Sequence, residues 1–305
     1  MSGTNQGLYD RVTGTILEAL KSGEAEKVPW RKPWHGGWVP RNGLTQRPYS
    51  GINVIYLQCI AHLEKWNSQE WFTYNGARRA GGHVRKGEKS KAVVVYYDRA
   101  IKKTGEVDPS TSAEMVETYP VIKFYYVFNR EQCDEIPEVP RTELSEDQKW
   151  DQCEKFVQDT GADIHEDQAR ACYIPSTDII QMPSYKSFLA VEGWYSTLFH
   201  ELIHWTGQPD RQARDLTGSF GSQNYAAEEL VAEFGSAYLN GWFQIEGDVQ
   251  HPEYINNWCS LLSDNNRAIF KATSEAKKAT DWILQKTGLL EIDVPEELIE
   301  AESVN

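Results

Sequence analysis

The stretch TLFHELIHWTGQPDRQ, residues 197–212, decides how the second half of this chain folds. His200 and His204 stand four apart, with Glu201 directly behind the first. On a helix this spacing places both imidazoles on one face, one turn apart, with the carboxylate close by. Trp194, Leu198, Leu202, Ile203 and Trp205 supply apolar sides, so the pattern predicts a partly buried helix from about Tyr195 to Trp205.

The five residues from His200 to His204 have the form HExxH. Two neutral imidazoles at this spacing suit one divalent metal, zinc by preference, and Glu201 suits a general base toward a metal-bound water. A catalytic site needs a third protein ligand, and two carboxylates compete for that role. Gly207 and Asp210 extend the motif to HExxHxxGxxD, a metzincin-like pattern. Metzincins, however, place a Met-turn after the helix, and Met1, Met115 and Met182 all lie upstream. The preferred source is EELVAE, residues 228–233, which resembles the second motif helix of the gluzincin proteases. There Glu229 binds metal, while Glu233, one turn later on the same face, accepts a hydrogen bond from a ligating histidine. Glu228 is turned about 100° away and has no part in this reading. Tyr195, Tyr225 and His251 are candidates to polarise an attacked carbonyl.

Working outward, the chain of 305 residues is long enough for two ordinary domains, and its 40% hydrophobic content suits a folded protein. The net charge of −14 is unevenly spread. Residues 1–130 carry 19 Lys and Arg against 12 Asp and Glu, and the remainder carries 12 against 33. A basic module that binds an anion, joined to an acidic one, is the implied organisation. Cys59, Cys133, Cys153, Cys172 and Cys259 include no CxxC pair, which suits a reducing cytoplasm, and neither an export signal nor a membrane-spanning run is expected.

Leu8, Val12, Ile16 and Leu20 recur every four residues and predict an amphipathic opening helix. KAVVVYYD (91–98) and VIKFYYVFN (121–129) read as strands, and the polar segment 99–120 between them as a long, mobile hairpin connection. The first domain is expected over 1–135, a linker over 136–148, a mostly helical domain over 149–290 and an acidic tail over 291–305. RACYIPSTDIIQMP, residues 170–183, suggests two short strands around a turn.

The first domain interleaves aromatic and basic residues: Trp30, Arg31, Lys32, Trp34, Arg41, Arg47, Tyr49, then Trp71, Arg78, Arg79, Arg85, Lys86 and Lys89. Rings that stack on unpaired bases and cations that follow phosphates suit single-stranded DNA. PWRKPW (29–34), RPYSGINVIYL (47–57), ARRAGGHVRKGEKS (77–90) and VFNREQCDEIP (127–137) resemble the amino-terminal single-stranded-DNA-binding domain of the ArdC antirestriction family. DIIQMP (178–183), YSTLFHELIHWTG (195–207) and YAAEELVAE (225–233) resemble the metallopeptidase domain joined to it. The blocks occur in the family's order over nearly the whole chain.

The resemblance implies a small basic α+β domain followed by a mostly helical, zincin-like domain of gluzincin type. It also implies a plasmid-encoded, cytoplasmic protein that shields incoming single-stranded DNA from host restriction. His200, His204 and Glu229 would bind metal, with Glu201 as base, whereas Asp210 falls outside the family's usual pattern. An unidentified protein would be the peptidase substrate, and no membrane is implied as a partner. The alternatives are a non-catalytic protein that coats single strands around a structural or vestigial metal site, and a general peptidase with a basic targeting domain.

Overall fold

The computed structural model describes residues 2–22, 39–107, 114–140, 144–217, 222–245 and 255–290. Helix α1 (Ser2–Ser22) buries Leu8, Val12, Ile16 and Leu20, the stripe that its sequence predicts. After β1 (Arg41–Asn42) comes α2 (Ile52–Leu63), where every residue from Ile52 to Ala61 is buried. A helix apolar nearly all round is stable only inside a core, and α1 covers it.

Next follow β2 (Glu70–Phe72), α3 (Tyr74–Arg79), β3 (His83–Val84), β4 (Ala92–Val107), β5 (Glu114–Asn129) and β6 (Cys133–Asp134). The first sheet runs β1-β2-β5-β4, with β1 parallel to β2 and the other pairs antiparallel; β3 and β6 form a separate ribbon. The long hairpin connection expected over 99–120 is a correction. The ladder continues from Asp98↔Val121 to Lys103↔Val116 and, after a register shift, Val107↔Glu114, so most of that segment is strand. Pairing two backbones satisfies their N–H and C=O groups whatever the side chains are, so a polar sequence does not end the ladder.

In the second half, α4 (Glu146–Thr160) begins with a capping box in which Ser145 Oγ accepts from the Gln148 amide at 3.3 Å and Gln148 Oε1 accepts from the Ser145 amide at 2.9 Å. It stops at Gly161, whose φ of 67° favours glycine. Strands β7 (Asp163–His165), β8 (Cys172–Ile174) and β9 (Ile179–Gln181) form a sheet in the order β7-β9-β8. Then come α5 (Val191–Trp205), α6 (Gln223–Trp242), α7 (Ile255–Asp264) and α8 (Ala268–Lys286). The motif helix α5 starts one turn earlier than its sequence suggests, because Ala190 offers no capping side chain to mark the beginning.

One buried cluster runs through both halves, from Val12 and Ile55 to Leu202, Phe234 and Ile283. Tyr238 Oη donates to Gly51 O at 3.0 Å and Thr13 Oγ1 to Asn266 O at 2.7 Å, which ties α6 and the α7–α8 turn to the amino-terminal half. Among the described residues no helix is long and apolar enough to cross a membrane.

Candidate metal centre

Helices α5 and α6 pack against each other. The contact is close because Gly235 lies under Ile203: a Cβ at Gly235 would stand 2.6 Å from Ile203 Cγ1. Gly235→Val is therefore expected to force the helices apart. The cost is about 1–3 kcal/mol, read as a lower midpoint in thermal unfolding, and an unchanged midpoint would show that the contact can relax.

At this contact His200 Nε2 and His204 Nε2 are 3.2 Å apart, His200 Nε2 lies 3.4 Å from Glu229 Oε2, and His204 Nε2 lies 3.5 Å from Glu229 Oε1. Ligands held about 2.0–2.1 Å from a tetrahedral ion stand about 3.3–3.4 Å from one another, so this triangle fits a divalent metal. Among the described residues these three make the only such converging group. Asp210, the rival third ligand, is elsewhere: its side chain is 75% exposed and faces Arg211 at 3.8 Å.

A carboxylate also stands beside each outer nitrogen, closely at His204 and more loosely at His200. His200 Nδ1 faces Glu233 Oε2 at 3.7 Å, and His204 Nδ1 faces Glu228 Oε1 at 3.2 Å. Each carboxylate orients one ring so that its Nε2 points inward. Glu228 thus corrects the sequence reading that left it aside. The helices run antiparallel here, so the later histidine of α5 meets the earlier glutamate of α6. Arg214 holds Glu228 through Nε–Oε2 at 3.0 Å and Nη2–Oε1 at 2.9 Å, while donating to Thr206 Oγ1 at 2.8 Å and Ile203 O at 2.6 Å. No motif marks Arg214; its position in the loop after α5 is its only signal.

Burial disfavours charge on His200, but Glu229 and Glu233 outweigh it and raise its pKa well above the usual histidine value. Burial likewise opposes ionisation of Glu229, and His204, His200 and a hydrogen bond from Tyr225 together hold it down to about 2. Glu228 is lowered against its own burial by His204 and Arg214.

Glu201 is buried, and its Oε2 accepts from the Tyr173 amide at 2.7 Å, so β8 aims the carboxylate. A brace keeps β8 in place. Tyr173 Oη donates to Asp178 Oδ1 at 2.8 Å, Arg211 pairs with Asp178, and Arg211 Nε donates to Trp205 O at 2.7 Å with its guanidinium 4.1 Å above the Trp205 ring. The Arg211 hydrogen bond lowers the Asp178 pKa against partial desolvation. Of the three carbonyl-polarising candidates, Tyr225 bonds Glu229, and Tyr195 is buried and stacked on Trp150 at 5.7 Å. His251 lies outside the described residues.

The DNA-binding candidates divide. Arg47, Arg78, Arg79, Lys86 and Lys89 are exposed and Arg41 is half-buried, whereas Arg85 already pairs with Glu88 at 2.9 Å and Asp134 at 3.4 Å. Trp71 is fully buried, with its ring 5.8 Å from Trp66, and Tyr49 is buried too. The Trp71 ring belongs to the core and presents no open face to a base, a correction that follows from β2 being buried along its whole length, and the Tyr49 ring is largely covered. Trp30, Arg31, Lys32 and Trp34 lie outside the described residues.

Residues 6–128 match the N-terminal domain of anti-restriction factor ArdC, and residues 151–275 match the zincin-like metallopeptidase family. The chain is 36% identical over 304 residues to a DNA primase TraC of Escherichia coli, covering 93% of this chain but only 28% of that relative's length. It is 34% identical over 289 residues to the protein y4eC of Sinorhizobium fredii, covering 92% of each. The antirestriction ArdC protein from plasmid R388 superimposes with a TM-score of 0.75 in its metal-free structure and 0.73 in its Mn(II)-bound structure, at 35% identity over 93% of this chain and 99% of that one. With identity of this level along its full length, in the same order of two domains, the chain belongs to the ArdC antirestriction family.

Proposed function

We propose that this protein binds single-stranded DNA through its basic amino-terminal module and hydrolyses a peptide bond at a zinc site, and that the two together protect incoming DNA from restriction. The observation that carries the hydrolytic part is the converging triangle of His200, His204 and Glu229, with Glu201 next to it and an orienting carboxylate on each imidazole. Two imidazoles and one carboxylate at tetrahedral spacing suit zinc and leave one position open; Mn(II) in the related structure is consistent with a donor set that accepts several divalent ions. A bound ion would acidify a water and polarise a carbonyl. Glu201 takes the proton: its Oε2 is fixed by the Tyr173 amide, so the carboxylate is held still as it passes that proton to a leaving amine. Glu233 and Glu228 keep both rings in one tautomer, and the Tyr173–Asp178–Arg211 brace prevents β8 from drifting off the base.

Support for the DNA part is the charge split and the match of residues 6–128. Glu201→Gln is expected to keep its metal and its affinity for single strands while losing protection in a restriction-digestion assay at matched protein concentration. Protection equal to wild type would favour the reading in which the chain only coats DNA.

A further inference from the structure

We infer that a cleft between the amino-terminal sheet and α8 receives a nucleotide of the bound single strand, with the base among tyrosine rings and the phosphates on cations from both halves of the chain. The inference rests on the reading that this protein binds single-stranded DNA and locates where the strand enters the fold. The cleft has a volume of about 660 Å³, within the range of roughly 300–1,000 Å³ usual for small-ligand sites.

Its walls are aromatic. Tyr96, Tyr125 and Phe270 line it, with the largely covered Tyr49 behind them, and Tyr96 and Tyr125 meet edge to face at 5.7 Å. Tyr97, 61% exposed, also borders the cleft. Three cations complete it: Arg47, Arg79 and Lys277. Among the described residues no Asp or Glu lines the cleft, although the chain as a whole carries 45 acidic residues, so this lining is complementary to an anion. Planar rings and positive charge without carboxylates select a base with its phosphates over a peptide or an apolar ligand.

Lys277 comes from α8, in the acidic half, beyond both matched segments. Its side chain is 42% exposed and pairs with Asp281 one turn later, a surface pair that a phosphate can replace. Its stem lies over Gly51, which opens α2 at φ 58° without a capping side chain. Three of the polar side chains in the lining are used by the protein itself. Asn53 exchanges bonds with Val95 at 2.8 and 2.7 Å, Asn42 Oδ1 accepts from the Leu44 and Thr45 amides at 3.0 Å, and Thr273 donates to Ile269 O at 2.8 Å. With those groups engaged, the cleft holds a base by its faces and shows little sequence preference.

The test uses the full chain and a fluorescein-labelled oligothymidylate of roughly twelve nucleotides, with fluorescence anisotropy read across a salt series. Lys277→Glu is expected to weaken binding and to lower the slope of log affinity against log salt by about 0.7, one phosphate contact. Lys278→Glu is the matched control, because Lys278 is adjacent, exposed and absent from the cleft lining. Wild type is also expected to bind an abasic strand of equal length roughly 5- to 150-fold more weakly than oligothymidylate, the loss of one stacked base. Equal effects of the two lysine substitutions, or equal affinity for the abasic strand, would overturn the cleft while leaving single-strand binding intact. Failure of wild type to bind any single strand would overturn both.

Discussion

Glu229→Ala is expected to yield a folded protein that no longer retains a divalent ion through dialysis, whereas Asp210→Ala retains it at wild-type stoichiometry. Glu229 spans the two imidazoles with one oxygen toward each, at 3.4 and 3.5 Å, so its removal takes away one corner of the ligand triangle. The loss of affinity should exceed the roughly 10- to 100-fold that follows removal of an outer-shell partner, which is the size expected for Glu228→Gln or Glu233→Gln. Elemental analysis of dialysed protein, with circular dichroism to establish folding, separates these cases. Metal loss in the Asp210 variant with retention in the Glu229 variant would reverse the assignment of the third ligand.

Arg214→Met is expected to destabilise the fold by about 3–5 kcal/mol, because it strands a buried carboxylate. Arg214 and Glu228 are almost wholly inaccessible, at 6% and 11% side-chain exposure. The guanidinium also holds Ile203 O, one of the last carbonyls of α5. In thermal unfolding this corresponds to a fall of roughly 10 °C. Combining Arg214→Met with Glu228→Leu removes the stranded charge and should restore much of the stability. Metal affinity should remain weak in the double variant, since His204 Nδ1 no longer has its acceptor. Equal midpoints for the single and double variants would mean that the pair contributes little and that Arg214 acts only through the α5 carbonyl.

Much of the candidate centre was legible because it follows the helical period. His200 and His204, and separately Glu229 and Glu233, are each four residues apart, and that spacing places each pair on one face in any α-helix. The burial of Leu8, Val12, Ile16 and Leu20 follows from the same rule. What spacing does not contain is how two helices cross. Glu228 points about 100° away from Glu229 on its own helix, yet that is the direction in which His204 lies once α6 runs antiparallel to α5. Arg214, Tyr173 and Asp178 come from segments with no periodicity, and their roles appear only when β8 and the loop after α5 converge on the site. The aromatic and basic residues of the first half show the same limit: composition marks Trp71 and Arg79 equally, and burial places the first in the core and the second on the surface.

From sequence alone came the candidate metal-ligand types and their pairing on two helices, the basic character of the first half and the order of the two modules, because local geometry and charge need no long-range contact. The tertiary structure decided that Glu229, rather than Asp210, completes the triangle, that each histidine has its own carboxylate, and that α8 supplies a cation to a cleft beside the amino-terminal sheet. These depend on the packing of segments far apart in the chain, and packing is set by shape across a shared core, which no single window of sequence carries.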